Sequence, residues 1–113
     1  MERLLADCPA RLGFDLLSHT WNAVVLQALG EGPRRPGDLR TEIGGISAKV
    51  LTETLRRLEG YGLVERQAYA EAPPRVEYAL TELGGTLLEP IRSLGRWAVE
   101  HGDAFAAAQG WDD

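Results

Sequence analysis

The chain has 113 residues, 17 acidic against 12 basic side chains and a formal net charge of −5, a size that fits one domain with a modest hydrophobic core. One cysteine excludes an internal disulfide, and with two distant histidines it supplies no spaced set of metal ligands. No stretch is apolar for long enough to cross a bilayer, and the two-leucine run in MERLLADCPA is too short for a secretion signal, so the expected compartment is the cytoplasm.

Cys8 stands before Pro9, at the expected start of a short helix over residues 10–17 whose buried side Phe14, Leu16 and Leu17 help to make. The partial positive charge of a helix start favours thiolate, and Arg11 lies one turn on, whereas Asp7 opposes ionisation. Cys8 therefore reads either as a reactive thiol or as a small apolar group packed at a subunit contact. A second helix begins near Thr20. Trp21, Val24, Val25, Ala28 and Leu29 recur at i, i+3, i+4, i+7 and i+8, and Gly30 stops the run. Residues 33–36 form a turn, and Pro36 suits the first turn of a short helix that carries Leu39 and Ile43 until Gly44-Gly45 breaks it. Arg34, Arg35 and Arg40 surround this short helix, each readable as solvated surface or as a phosphate contact.

Ser47 is an N-cap residue, able to accept from amides that lack a partner in the first turn of the next helix. Apolar residues then recur at Leu51, Leu55 and Leu58 before Gly60 and Gly62 end the helix. At about 100° per residue, Lys49, Thr52, Glu53 and Arg56 fall within one arc on the opposite side. Such an arc serves as a solvated surface or as a hydrogen-bonding face for a groove. Two β-rich runs follow, residues 63–69 and 75–80, with Val64, Val76, Tyr78 and Leu80 at a period close to two. They predict a hairpin with a proline-rich tip, in which Arg75 and Arg66 are placed either as solubilising charges or to meet a phosphate backbone. From Thr81, a cap, a last helix is predicted with Glu82 in its first turn and an apolar stripe of Leu83, Leu87, Ile91, Leu94 and Ala98, widened by Trp97. Pro90 is a candidate kink. One small core does not cover so much apolar face, and its outer part predicts a partner surface.

In order along the chain, Cys8-Pro9, Leu16-Leu17, Trp21, GPRRPGDLR (32–40), GISAKVLTETLRRLEGYGLVER (45–66), PPRVEYALTELG (73–84) and Trp97 resemble the HxlR-type family of bacterial transcriptional regulators over residues 7–101. The resemblance implies an α+β, mainly α fold: a winged helix-turn-helix of the broader multiple-antibiotic-resistance regulator type, with a two-stranded wing and N- and C-terminal dimerisation helices. It implies that the N-terminal segment and last helix pair across a twofold axis, through Phe14, Leu87, Ile91, Leu94 and Trp97. Members of the family include sensors of quinones, aldehydes, hypochlorite and disulfide stress that use a cysteine at the position matching Cys8. The chain departs from the family pattern at Ser18-His19-Thr20-Trp21, where a Gly-Gly-Lys-Trp-like run is usual, and at Glu53, where Gln is common. The operator sequence therefore does not carry over from relatives.

Charge is distributed to match. Residues 33–75 hold eight Lys/Arg and six Asp/Glu, a balance of +2, and the remainder four and eleven, a balance of −7. Binding would thus come from a few placed groups rather than a broad basic field. The resulting expectation is a homodimeric regulator on a palindromic operator, with Lys49, Thr52, Glu53, Arg56, Ser47, Arg35, Arg66 and Arg75 at the DNA. Its control is expected either from a redox or electrophilic change at Cys8 or from a small-molecule effector in the dimer interface. A winged-helix protein–protein module is the competing class. No catalytic grouping, cofactor or metal is implied: His19 and His101 stand alone, and no glycine loop cradles a phosphate.

Overall fold

In the computed structural model, which describes residues 10–109, the order is α1 (Ala10–Leu17), α2 (Thr20–Leu29), α3 (Pro36–Ile43), α4 (Ala48–Gly60), β1 (Val64–Tyr69), β2 (Arg75–Leu80), α5 (Glu82–Gly85) and α6 (Leu88–Ala108). The fold is mainly α with one antiparallel hairpin, in which Val64 faces Leu80, Arg66 faces Tyr78 and Tyr69 faces Arg75. Val25, Leu26, Leu29, Leu39, Leu51, Leu55, Leu58 and Val64 form the centre of the core, joined at its edge by Ile46, Leu63, Tyr78 and Ile91. No helix among the described residues is long and apolar enough to cross a membrane.

The boundaries of α4 follow from its capping chemistry. The Ser47 hydroxyl accepts from the Val50 amide at 3.1 Å, closing the N-terminus. At the other end Gly62 takes φ +77°, and the chain turns back on itself. The Leu63 amide then donates to the Leu58 carbonyl and the Gly62 amide to that of Glu59, both at 3.0 Å. This is a Schellman turn, and burial of both Leu58 and Leu63 supplies its apolar contact. It also fixes the direction in which β1 leaves the helix.

Two expectations are corrected. The buried side of α2 is Asn22, Val25, Leu26 and Leu29, rotated from the expected stripe, so that Val24 is exposed and Trp21 half-buried. The reason is Asn22, whose side-chain amide is bonded on both sides: Nδ2 donates to the Leu16 carbonyl at 2.8 Å, and Oδ1 accepts from Arg57 at 3.0 Å. A satisfied amide can be fully buried, and here it joins the end of α1 to α4.

The last helix is also broken, at Thr86-Leu87, rather than running on from Thr81 with a kink at Pro90. Restarting at Leu88 puts Pro90 in the first turn of α6, where an amide has no helical acceptor and its loss costs nothing. The preceding turn, α5, is held by Thr81, whose hydroxyl accepts from the Gly84 amide at 3.0 Å and donates to the Gly62 carbonyl at 2.7 Å. Gly84 lies so close to β1 that a Cβ there would overlap the Leu63 carbonyl oxygen, whereas one at Gly85 would meet nothing within 4 Å. Gly84→Ala is therefore expected to destabilise the protein by about 3 kcal/mol, lowering Tm by about 12 °C or more, while Gly85→Ala leaves Tm unchanged or raises it slightly. Thermal denaturation of the two variants checks the contrast.

Candidate nucleic-acid interface

Helix α4 packs on α2 and α3 through Leu51, Thr54, Leu55 and Leu58, and leaves Lys49, Thr52, Glu53 and Arg56 exposed on its far side. Thr54 is buried without penalty, because its hydroxyl donates to the Val50 carbonyl at 2.8 Å. Neither Lys49, Glu53 nor Arg56 enters an ion pair among the described residues. The face thus offers two cations, one carboxylate and a hydroxyl to whatever approaches it. Arg57, one residue on, is withdrawn from that face by its bond to Asn22. Sequence periodicity did not single out this arginine; the signal was its place on the boundary between the polar arc and the leucine stripe.

The short helix α3 is positioned from both ends. Before it, Arg34 and Tyr78 exchange backbone hydrogen bonds of 2.9 and 2.8 Å, so the turn into α3 is stitched to β2. After it, the Arg40 Nε donates to the Ile46 carbonyl at 3.3 Å, beside the cap of α4. Arg34 is engaged further by Glu42 at 3.2 Å and by the carbonyls of Gly32 and Pro33. These two arginines therefore hold the helix-turn-helix together. Arg35 is exposed and makes no side-chain cap bond, which leaves it as the available cation at the start of α3. Ser47 is exposed too, though its oxygen already serves the helix cap.

In the wing the two arginines differ. Arg66 is exposed and unpaired among the described residues. Arg75, expected to lean toward phosphate, instead lies on the Tyr69 ring with Glu71 and Glu77 beside it. Neither partner was foreseen, yet Glu77, two residues along the same strand, necessarily shares a face with Arg75.

A second surface lies away from the groove face. Of α6 only Ile91 is buried, 8% exposed, because this end of the helix packs on α2. Ile91, expected at a partner surface, is thus a core residue of its own chain, and Leu87 is half-buried beside it. Leu94, Trp97, Val99 and Phe105 are exposed farther along, as is Leu12 on α1; Phe14 and Leu17, expected on the buried side of α1, are exposed too, because only Leu16 of that helix packs against the core. Trp97 and Phe105 meet edge to face at 6.5 Å, with His101 5.3 Å from Trp97. Leu12, Leu16, Tyr61, Leu63, Leu83 and Leu87 also line an open apolar groove of about 490 Å³ between α1 and α5. Cys8 lies outside the described residues.

Two helices meeting at a turn, the second with an unpaired polar face and followed by a stitched hairpin, define a winged helix-turn-helix DNA-binding transcriptional regulator. The chain belongs to the HxlR-like helix-turn-helix family, whose pattern matches residues 16–105. It is 42% identical to the HTH-type transcriptional regulator YtfH of Escherichia coli (strain K12) over 91 residues, 80% of this chain and 72% of the relative. Among solved structures it is similar to the reduced form of the transcriptional regulator YodB from B. subtilis, with TM-score 0.73 and 38% identity over 80% of this chain and 90% of that one. It is likewise similar to the redox regulator HypR in its reduced form, with TM-score 0.81 and 30% identity over 88% and 99% of the two chains. These relatives are regulators of transcription, not enzymes.

As the candidate groove face, α4 predicts that Lys49→Ala and Arg56→Ala each weaken duplex binding by about three- to tenfold. Because both side chains point away from the core, Tm should stay within about 2 °C of the parent. Fluorescence anisotropy with labelled DNA and a thermal melt together check both halves.

Proposed function

We propose that residues 1–113 act as one cytoplasmic regulatory unit that binds a palindromic operator as a homodimer. The exposed arc of Lys49, Thr52, Glu53 and Arg56 is the observation that carries this reading. Two copies of α4 enter successive major grooves about 34–36 Å apart, with Glu53 suited to accept from a cytosine amino group and Ser47, Arg35 and Arg66 placed near the backbone. The apolar end of α6 and the exposed residues of α1 supply the pairing surface. A helix of 21 residues, about 31 Å long, that buries a single residue in its own chain leaves Leu94 and Trp97 to be covered by a second copy. Because both reading heads must fit one rigid duplex, a small change in their separation changes affinity.

Control falls to Cys8. It is the sole thiol of the chain, it stands two residues before the start of α1 in the sequence, and two similar structures are of regulators described by their redox state. The groove between α1 and α5 favours a second reading, in which a small apolar effector binds and bears on the same helices.

Selection of genomic fragments by the purified protein, with and without oxidant, tests the whole reading. Mild oxidant or a quinone should change operator affinity at least about fivefold, as coupling of ~1–3 kcal/mol implies, and Cys8→Ser should remove the response but not basal binding. A response that survives in Cys8→Ser transfers control to the groove. Trp97→Ala, or a charge at Leu94, should loosen the dimer and with it DNA binding, since one reading head loses the avidity of the second half-site. Sedimentation of a monomeric parent protein at micromolar concentration, or no retained DNA at all, would leave a protein–protein module as the better description.

A further inference from the structure

The hairpin register places Arg75 opposite Tyr69 and Gln67 opposite Glu77, so these four side chains share one face of the wing. On that face the Arg75 guanidinium carbon lies 3.9 Å from the centre of the Tyr69 ring. Its NH1 donates to Glu77 at 3.1 Å. Its Nε lies 2.9 Å from Glu71, close enough for an ion pair though not aligned for a hydrogen bond. The arginine side chain is 29% exposed and that of Glu77 19%. Gln67 extends the cluster, donating to Glu65 and accepting from the Tyr69 hydroxyl. One cation among Glu65, Glu71 and Glu77 leaves this face with a net charge of −2.

A lone exposed ion pair would matter little, because it costs side-chain entropy and is screened by salt. Here the cation is stacked on a ring, bracketed by two carboxylates and partly covered, so a phosphate must displace both acceptors and meet their repulsion. The chain as a whole is acidic, and each cation withheld from DNA removes a large part of its sequence-independent attraction.

We propose that Glu71 and Glu77 are specificity determinants of this regulator: by holding Arg75 against Tyr69 they keep the wing's second cation from phosphate, so that non-specific binding stays weak and discrimination is left to α4. This rests on the DNA-binding reading above. It makes Arg75 almost silent in the parent protein, and makes its effect depend on its neighbours.

The test measures affinity for a mixed-sequence duplex across a salt series, using the full chain, Arg75→Ala, the double variant Glu71→Gln/Glu77→Gln, and all three changes together. Arg75→Ala alone should alter affinity by less than about twofold and leave the salt slope unchanged. The double variant should bind about five- to tenfold more tightly with a slope steeper by about one unit, and adding Arg75→Ala should abolish most of that gain. Removing two negative charges without releasing Arg75 would instead raise affinity equally in both backgrounds, and that result overturns the proposal. So does a slope made shallower by about one unit by Arg75→Ala alone, which would mean the arginine already meets phosphate. If all four proteins melt like folded chains and none binds duplex, the DNA-binding reading fails and this proposal with it.

Discussion

Two backbone hydrogen bonds between Arg34 and Tyr78, at 2.9 and 2.8 Å, tie the wing to the turn before α3, alongside the packing of Val64 and Tyr78 in the core. They make the turn before α3 a one-residue third strand, bridged to β2. Through them the hairpin is joined directly to the helix-turn-helix. The same place concentrates side-chain bonding, since Arg34 is also held by Glu42 and two local carbonyls and the Tyr78 side chain reaches the core. A reader of rigid duplex needs this, because precision at a base edge depends on groups whose supports do not give way.

An acidic protein that binds nucleic acid has little electrostatic margin, and here the arginines are divided between architecture and surface. Arg34, Arg40 and Arg57 bond to turns, a cap and the buried Asn22, Arg40 while still exposed, whereas Arg35, Arg56 and Arg66 are exposed without such a bond among the described residues. A cation bonded inside the fold contributes orientation rather than attraction. Net charge over a segment therefore overstates what the surface can offer. Among residues 33–75, three of the eight basic side chains are fastened by the frame and a fourth, Arg75, by the wing.

The apolar ledger of α6 points outward. Its first turns join the core through Ile91, but beyond that Leu94, Trp97, Val99 and Phe105 are exposed along the helix. Exposed apolar area on this scale is costly in water and is ordinarily covered by association. Asn22 links the end of α1 to Arg57 of α4 by direct hydrogen bonds, so a displacement of α1 has a physical route to α4.

Local chemistry made much of this legible from sequence. Ser47, Gly62, Thr81, Pro36 and the leucine spacing fix helix ends and faces within a few residues, and the observed α1 to α4 and the hairpin start and stop where those signals lie. The polar arc of α4 was legible for the same reason, since helical geometry alone puts Lys49, Thr52, Glu53 and Arg56 together. What only the tertiary structure decided were long-range matters. These are the rotation of α2 about a buried Asn22, the break at Thr86-Leu87, the burial of Ile91, and the capture of Arg75 by Glu71, Glu77 and Tyr69. Each turns on which partner another part of the chain supplies. A sequence pattern fixes which way a side chain points, but not whether a carbonyl, a ring or a carboxylate waits there to meet it.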